Sequence, residues 1–298
     1  MDSRPWLQFD WRSCGRFLEL GNARVNAVVV EGQRDQVPLL FIHGLGGCWQ
    51  NWLEQLPVLG PRFGGIAFDL PGFGDSPLLA GETSIAAFVE VTRALIERLG
   101  LERVHLVGNS MGGLIACEVA LAEPERVKAL TLISPAGYPI PLGNRRLRTL
   151  EIVYPLMEAG GRYIANHAEA VARRPRLRNL LLHAVAAHPE RFDPVLAVEQ
   201  FKGMGKPGLL PALHSLLAHT LEGRLQGVKA PTLLIWGELD PVLPVEMAER
   251  FVEELLDVRK VIIPDVGHVA MLEVPAKVNE LIAEHAAKPA ELPAEPAA

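Results

Sequence analysis

The sequence predicts a doubly wound α/β domain with a mostly parallel sheet, interrupted by a helical insertion. Three observations predict it. Short, almost wholly apolar runs recur along the 298-residue chain, at 38–42, 65–70, 103–108, 128–134, 230–237 and 258–264. They lack in/out alternation, as strands covered on both faces do. Gly- or Pro-marked turns and helical patterns alternate with them, which is the rhythm of βαβ units. From about Tyr138 to Gly227 the strand-like runs stop and only helical patterns continue.

Taken in order, "RFLEL" and "RVNAVVVEG" (Arg16–Gly32) read as an opening hairpin ahead of "PLLFI" and "GIAFDL". The segment "TSIAAFVEVTRALIERLG" reads as a helix, with Thr83 or Ser84 as N-cap and Gly100 at its C-terminal end. "RVHLVG" and "KALTLIS" then flank "MGGLIACEVALAEPERV", a second helix. "RRLRTLEIVYPLMEAGGRYI", "LRNLLLHAVAAHPERF" and "PGLLPALHSLLAHTLEG" are the main helical pieces of the insertion. "APTLLIWG" and "VRKVIIP" return to the sheet. The expected organisation is a core of residues 1–137 and 228–288, a helical cap of 138–227 inserted after the sixth strand, and a disordered Pro/Ala-rich tail, 289–298.

Bulk properties narrow the function. Apolar residues make up 49% and charged residues 21%, the composition of a globular domain, and the formal net charge is −6. No basic excess points to nucleic acid or an anionic membrane. Cys14, Cys48 and Cys117 form neither a disulfide framework nor a metal-ligand spacing, which fits a reducing cytoplasm. The start, "MDSRPWLQFDWRS", has no apolar signal core, and no run reaches transmembrane length, so no stable membrane insertion is expected.

The chemistry is carried by "GNSMGG" (108–113) directly after "VHLV". A serine in G-x-S-x-G, at the end of a buried strand and the start of a helix, sits on a strained turn that lifts its hydroxyl into the crevice at the strand ends. The following helix points its N-terminus there, which favours developing negative charge. Ser110 is therefore the candidate nucleophile. A serine needs a base, and the base an orienting acid, in chain order Ser, Asp or Glu, His. His268, in the loop after the last strand, fits the base. Asp240, in "WGELDPVLP", fits the acid; Glu238 is its rival, and Asp265 is too near His268 for an easy approach. "FIHGLGG" after another strand offers the Leu45 amide as an oxyanion donor, with the Met111 amide as the second. His43, Gly44, Asn109, Val269 and Met271 flank these positions and are the candidate substrate contacts. "DLPGFGDS" (Asp69–Ser76) reads as architectural, shaping the loop beside the oxyanion turn.

In order, "HGLGG", "DLPGFGDS", "GNSMGG", "WGELDPVLP" and "GHVAMLEVP" resemble the motifs of the α/β-hydrolase family, over about Gly32 to Ala287. The resemblance implies an acyl-enzyme mechanism with a Ser110–His268–Asp240 triad and no cofactor or metal. It implies a small-molecule ester or acyl substrate and a monomer or homodimer. Serine at position 110 separates the chain from the family's epoxide hydrolases and haloalkane dehalogenases, which use Asp there. A carboxylesterase or small-acyl lipase is the plainer expectation, with leucines of the insertion, Met271 and Leu272 as pocket candidates. Asn109 before the serine resembles carbon–carbon bond hydrolases that act on vinylogous keto-acid ring-fission products. Arg145, Arg146, Arg148, Arg173, Arg174, Arg176 and Arg178 are the candidate grips for such an anion, while Val269 stands where that subfamily has Trp. A non-catalytic small-molecule receptor of the same fold is the third reading, and a perhydrolase side reaction accompanies the esterase one.

Overall fold

The computed structural model describes residues 4–139 and 158–287. Eight strands build one sheet: β1 (Gly15–Leu20), β2 (Ala23–Val30), β3 (Leu39–Ile42), β4 (Gly65–Phe68), β5 (Val104–Asn109), β6 (Val127–Ile133), β7 (Thr232–Gly237) and β8 (Val258–Ile263). Their order is β1-β2-β4-β3-β5-β6-β7-β8. The β1–β2 hairpin is antiparallel, β2 joins β4 antiparallel, and β3 to β8 run parallel. β3 to β8 coincide with the six apolar runs of the sequence, and β1 and β2 with the expected hairpin. β3, β4, β5 and β7 are buried at every residue, which is why their sequences show no alternation.

Winding reverses between β3 and β5. From β3 the chain steps to β4 on one side, and from β5 it steps through β6, β7 and β8 on the other. A crevice opens beyond the carboxyl ends of strands at such a switch. The turn His43–Gly47 and residue Ser110 stand there, because they directly follow β3 and β5.

Helices cover both faces, and two apolar clusters fill the space. One lies under Ile85–Arg98 and Met111–Ala122 and includes Leu40, Phe68, Leu106 and Trp236. The other includes Phe41, Trp52, Val107 and Ile235. Helix Ile85–Arg98 starts where the sequence placed it: the Ser84 side chain accepts from the Ala87 amide at 3.2 Å. Leu99 is its C-cap and Gly100 follows at φ 64°, the left-handed turn that ends helices. Cys48 and Cys117 are buried in this core, Cys14 is half-buried before β1, and none is in a disulfide.

Between β6 and β7 the described residues form helices over 158–166, Ala168–Ala172, Pro175–Leu182, Pro194–Lys202 and Leu209–Ala218, with short turns between them. Helix Pro194–Lys202 has a built start: Pro at its first position needs no amide partner, and the Asp193 carboxylate accepts from Val195 at 2.6 Å. Its Leu196, Ala197 and Phe201 are buried in the second cluster, continuous with the sheet. Burying a side chain like Phe201 contributes about 1.5–3 kcal/mol. Arg145, Arg146, Arg148 and the tail 289–298 lie outside the described residues. No helix among the described residues is long and apolar enough to cross a membrane.

Candidate active site

Ser110 takes φ 55° and ψ −119°. A non-glycine residue there is strained, and such strain is held only where neighbours over-determine the backbone. Here the Ser110 amide donates to the Ile133 carbonyl of β6 at 3.1 Å, and the Ser110 carbonyl accepts from Ala136 at 3.0 Å and Gly113 at 2.9 Å. The flanking glycines have a steric reason. A Cβ on Gly108 would stand 2.3 Å from the Gly112 carbonyl oxygen. One on Gly112 would stand 2.1 Å from the Ile42 carbonyl oxygen of β3. Three backbones pass too closely at the serine for any side chain.

His268 and Asp240 come together across two loops. The Asp240 carboxylate can only accept, so His268 Nδ1 carries the proton and donates to Oδ2 at 2.8 Å. The other oxygen, Oδ1, accepts from the amides of Val242 at 2.8 Å and Leu243 at 2.9 Å. The carboxylate side chain has no exposed surface and that of His268 only 6%. His268 Nε2 is left without a protein partner among the described residues, and the ring walls the same cavity as Ser110. Glu238 is exposed, and its carboxylate accepts from the Asp265 amide at 3.3 Å. Asp265 pairs outward with Arg191 and His188, each at 2.6 Å.

The oxyanion candidates are two backbone amides beside Ser110. Met111 opens its helix, so its amide has no carbonyl one turn back. The Leu45 amide has no acceptor among the described residues, and Leu45 lines the cavity. Behind them His43 is fully buried. Its Nε2 accepts from the Leu70 amide at 3.0 Å, so Nδ1 carries the proton and donates to the Gly44 carbonyl at 2.8 Å. Burial pushes its pKa down to about 4. His43 therefore pins the oxyanion turn to the Leu70 loop. Asp69, read as architectural, is buried beneath: it accepts from the amides of Trp49 at 2.7 Å and Asp75 at 2.9 Å and from Asn26 Nδ2 at 2.9 Å. Burial raises its pKa to about 6 despite these bonds.

The cavity over Ser110 has a volume of ≈ 230 Å³. Larger hollows of ≈ 410 and ≈ 680 Å³ elsewhere touch none of Ser110, Asp240 and His268. Gly44, Leu45, Asn109 and Val269 line it; His43 and Met271 do not. Both nitrogens of His43 are spent on backbone, and Met271 is packed in the core while its carbonyl accepts from Gln55. Asn109 reaches the wall, but its Nδ2 donates to the carbonyls of Ile133 at 3.0 Å and His268 at 3.2 Å. It ties β6 to the histidine loop. The insertion supplies Leu181, Val185, Phe192, Phe201 and Met204, together with Gln200. Gln200 Oε1 accepts from Asn51 Nδ2, and Gln200 Nε2 donates to the Gln50 carbonyl at 3.1 Å. The Asn51–Gln200 pair went unread in the sequence, where neither residue belongs to a motif.

A parallel sheet with a strained serine at its switch point and a buried His–Asp pair at its far loops is the layout of an α/β hydrolase. The chain belongs to the Alpha/beta hydrolase family, whose profile matches residues 39–281. Its relatives carry different reactions. It is 28% identical over 260 residues to a dihydrolipoyllysine-residue acetyltransferase component of the acetoin cleaving system from Pseudomonas putida, covering 84% of this chain and 63% of that protein. It is 29% identical over 265 residues to a 2-hydroxy-6-oxononadienedioate/2-hydroxy-6-oxononatrienedioate hydrolase from Paraburkholderia phymatum, covering 82% of this chain and 85% of that one. Among solved structures it resembles a membrane phospholipase A described as a bacterial virulence factor, at TM-score 0.70 and 29% identity, covering 91% of this chain and 84% of that one.

Proposed function

We propose that this chain is a serine hydrolase that cleaves carboxylic esters of small or medium, uncharged acyl groups through an acyl-enzyme. Ser110 attacks the carbonyl carbon as His268 Nε2 takes its proton. Asp240 holds the ring in the tautomer that leaves Nε2 free and stabilises the imidazolium. The amides of Leu45 and Met111 hold the tetrahedral oxyanion, aided by the helix N-terminus. His268 returns the proton to the departing alcohol. Water deprotonated by His268 then releases the acid. Residues 138–227 serve as the cap over this crevice.

One observation carries the substrate reading: the wall that the described residues place around Ser110. It is built from leucine, valine, phenylalanine and methionine, with neutral carboxamides at Asn51, Asn109 and Gln200. Such a wall suits an uncharged acyl chain, because a carboxylate there would lose its water without gaining a counter-ion among the described residues. Of the arginines considered as anion grips, the four that are described do not line the cavity. Arg173, Arg174 and Arg176 are exposed, and Arg178 NH1 donates to the Ala172 carbonyl at 3.3 Å.

The test is a burst assay with p-nitrophenyl esters of two to sixteen acyl carbons. A burst equal to the enzyme concentration, absent in Ser110→Ala, with an optimum at short or medium chains, is the expected result. Slow turnover on every ester, with fast serine-dependent cleavage of a vinylogous keto acid, would replace the ester reading by the carbon–carbon one. Tight binding without turnover of either would make the chain a receptor.

A further inference from the structure

The "LEVP" end of the last motif contains a buried acid that the proposed chemistry does not use. Glu273 is 6% exposed, yet its carboxylate accepts three backbone N–H groups. Oε1 accepts from Gly267 at 2.8 Å, and Oε2 accepts from Ala187 at 3.0 Å and His188 at 3.1 Å. The first amide adjoins His268. The other two belong to the insertion, one and two residues past the pair Val185–Ala186. The seam continues on either side of the acid. The His268 amide donates to the Val185 carbonyl at 2.9 Å. Further out, the His188 ring and Arg191 pair with Asp265. At its centre the backbones touch: a Cβ on Gly267 would stand 2.6 Å from the Ala187 nitrogen and 2.8 Å from Glu273 Oε1.

We infer that Glu273 is a positioning residue, a carboxylate staple that fixes the insertion to the His268 loop and so sets both the base and the Val185 wall of the cavity. The physical reason is the number of donors. Hydrogen bonds from amides to an ionised acceptor are stronger than neutral ones, and a buried amide that loses its acceptor costs about 1–3 kcal/mol. One carboxylate satisfies three such amides from two segments that share no strand or helix. Neither segment can move without leaving an amide unpaired. On its His268 side the insertion is therefore anchored and not a free lid. For the catalytic consequence the inference rests on the esterase reading. The staple itself does not.

The experiment compares wild type with Glu273→Gln, which keeps the shape but puts an N–H₂ group where one set of amides needs an acceptor. Kinetics on p-nitrophenyl acetate, butyrate and octanoate are normalised to active sites titrated with a fluorophosphonate, and amide exchange is followed by mass spectrometry. The expected result is a kcat/KM per active site lowered about tenfold or more, since small displacements of a catalytic group are costly. The drop is unequal across the three esters, because Val185 lines the acyl cavity. Amides 185–188 and 265–268 exchange at least tenfold faster, together, while β5 and β6 keep their protection. A merely structural acid would lower the thermal midpoint, leave KM and the ester ratios per active site unchanged, and loosen no segment selectively; that outcome overturns the inference. If wild type hydrolyses no ester, the esterase reading fails, and the paired exchange of the two segments still decides the staple. If Glu273→Gln does not fold, Glu273→Asp, which keeps the charge but withdraws it by one methylene, gives the same readouts.

Discussion

Two histidines follow strand ends on the same rim of the sheet, and their environments part them. His43, next to β3, donates from one nitrogen and accepts on the other, both to backbone, and has no exposed surface. His268, beyond β8, spends Nδ1 on Asp240 and turns its ring to the cavity. A ring with both nitrogens committed is a fastener. A ring with one nitrogen committed to a buried carboxylate and the other free can move a proton. Burial is nearly equal at the two, so burial alone does not reveal a base. The two differ in that only the His268 ring lines the cavity with a nitrogen uncommitted.

The largest effect expected on this contrast comes from removing the proposed nucleophile. Ser110→Ala should lower ester turnover about 10⁶-fold while the thermal midpoint stays near wild type, read by progress curves and circular dichroism. Next is the acid. Asp240→Asn should lower kcat about 10³- to 10⁴-fold, because the amide can present a donor to Nδ1 and favour the wrong tautomer. Glu238→Gln, on the exposed rival, should leave kcat within about twofold, since nothing in this mechanism uses that side chain. A dead Glu238→Gln with an active Asp240→Asn would reverse the assignment.

His43 sharpens the contrast through pH. Its pKa is about 4 in the fold against an ordinary 6.5. Between those values the unfolded chain takes up a proton that the folded chain refuses. Its contribution is complete above pH 6.5 and is lost as pH falls toward 4, by about 3 kcal/mol in all. Asp69 opposes it. With its pKa raised to about 6, the fold holds a proton that the unfolded acid releases, so that contribution is present in acid and is lost as pH rises through 6. His43→Gln should abolish the first slope and expose the second, seen as urea midpoints that increase from pH 6 to 4. The smallest effect belongs to the surface: Arg174→Ala and Arg176→Ala should change ester kcat/KM by less than about twofold, since exposed charges contribute little.

The middle of the sheet was legible because β3, β4, β5 and β7 are covered on both faces, so apolar runs and turn glycines mark them. The loops beyond it were legible where a residue type is forced, as at Gly108 and Gly112, whose Cβ atoms would strike backbone. The cavity wall was not. A leucine facing the cavity, such as Leu181, and one packed in the core, such as Leu196, look alike in sequence, because both sit on amphipathic helices. His43 and Met271 lie off the cavity wall, since nearness to the site along the chain does not say which way a side chain turns. Asn51 and Gln200 meet across 149 positions, and only the packing of the insertion on the sheet brings them together.

The three cysteines have a practical consequence for anyone handling the protein. Burial drives the thiols of Cys48 and Cys117 far above the ordinary range, so neither supplies the thiolate that maleimides and iodoacetamides attack. Cys14 alone reaches solvent, just before β1. In the sheet, β1 and β5 are four strand spacings apart, roughly 19 Å at about 4.8 Å each. A fluorophore or a surface linker attached through sulfur would thus go to one place, at the edge of the sheet and well away from Ser110, with no engineered residue needed.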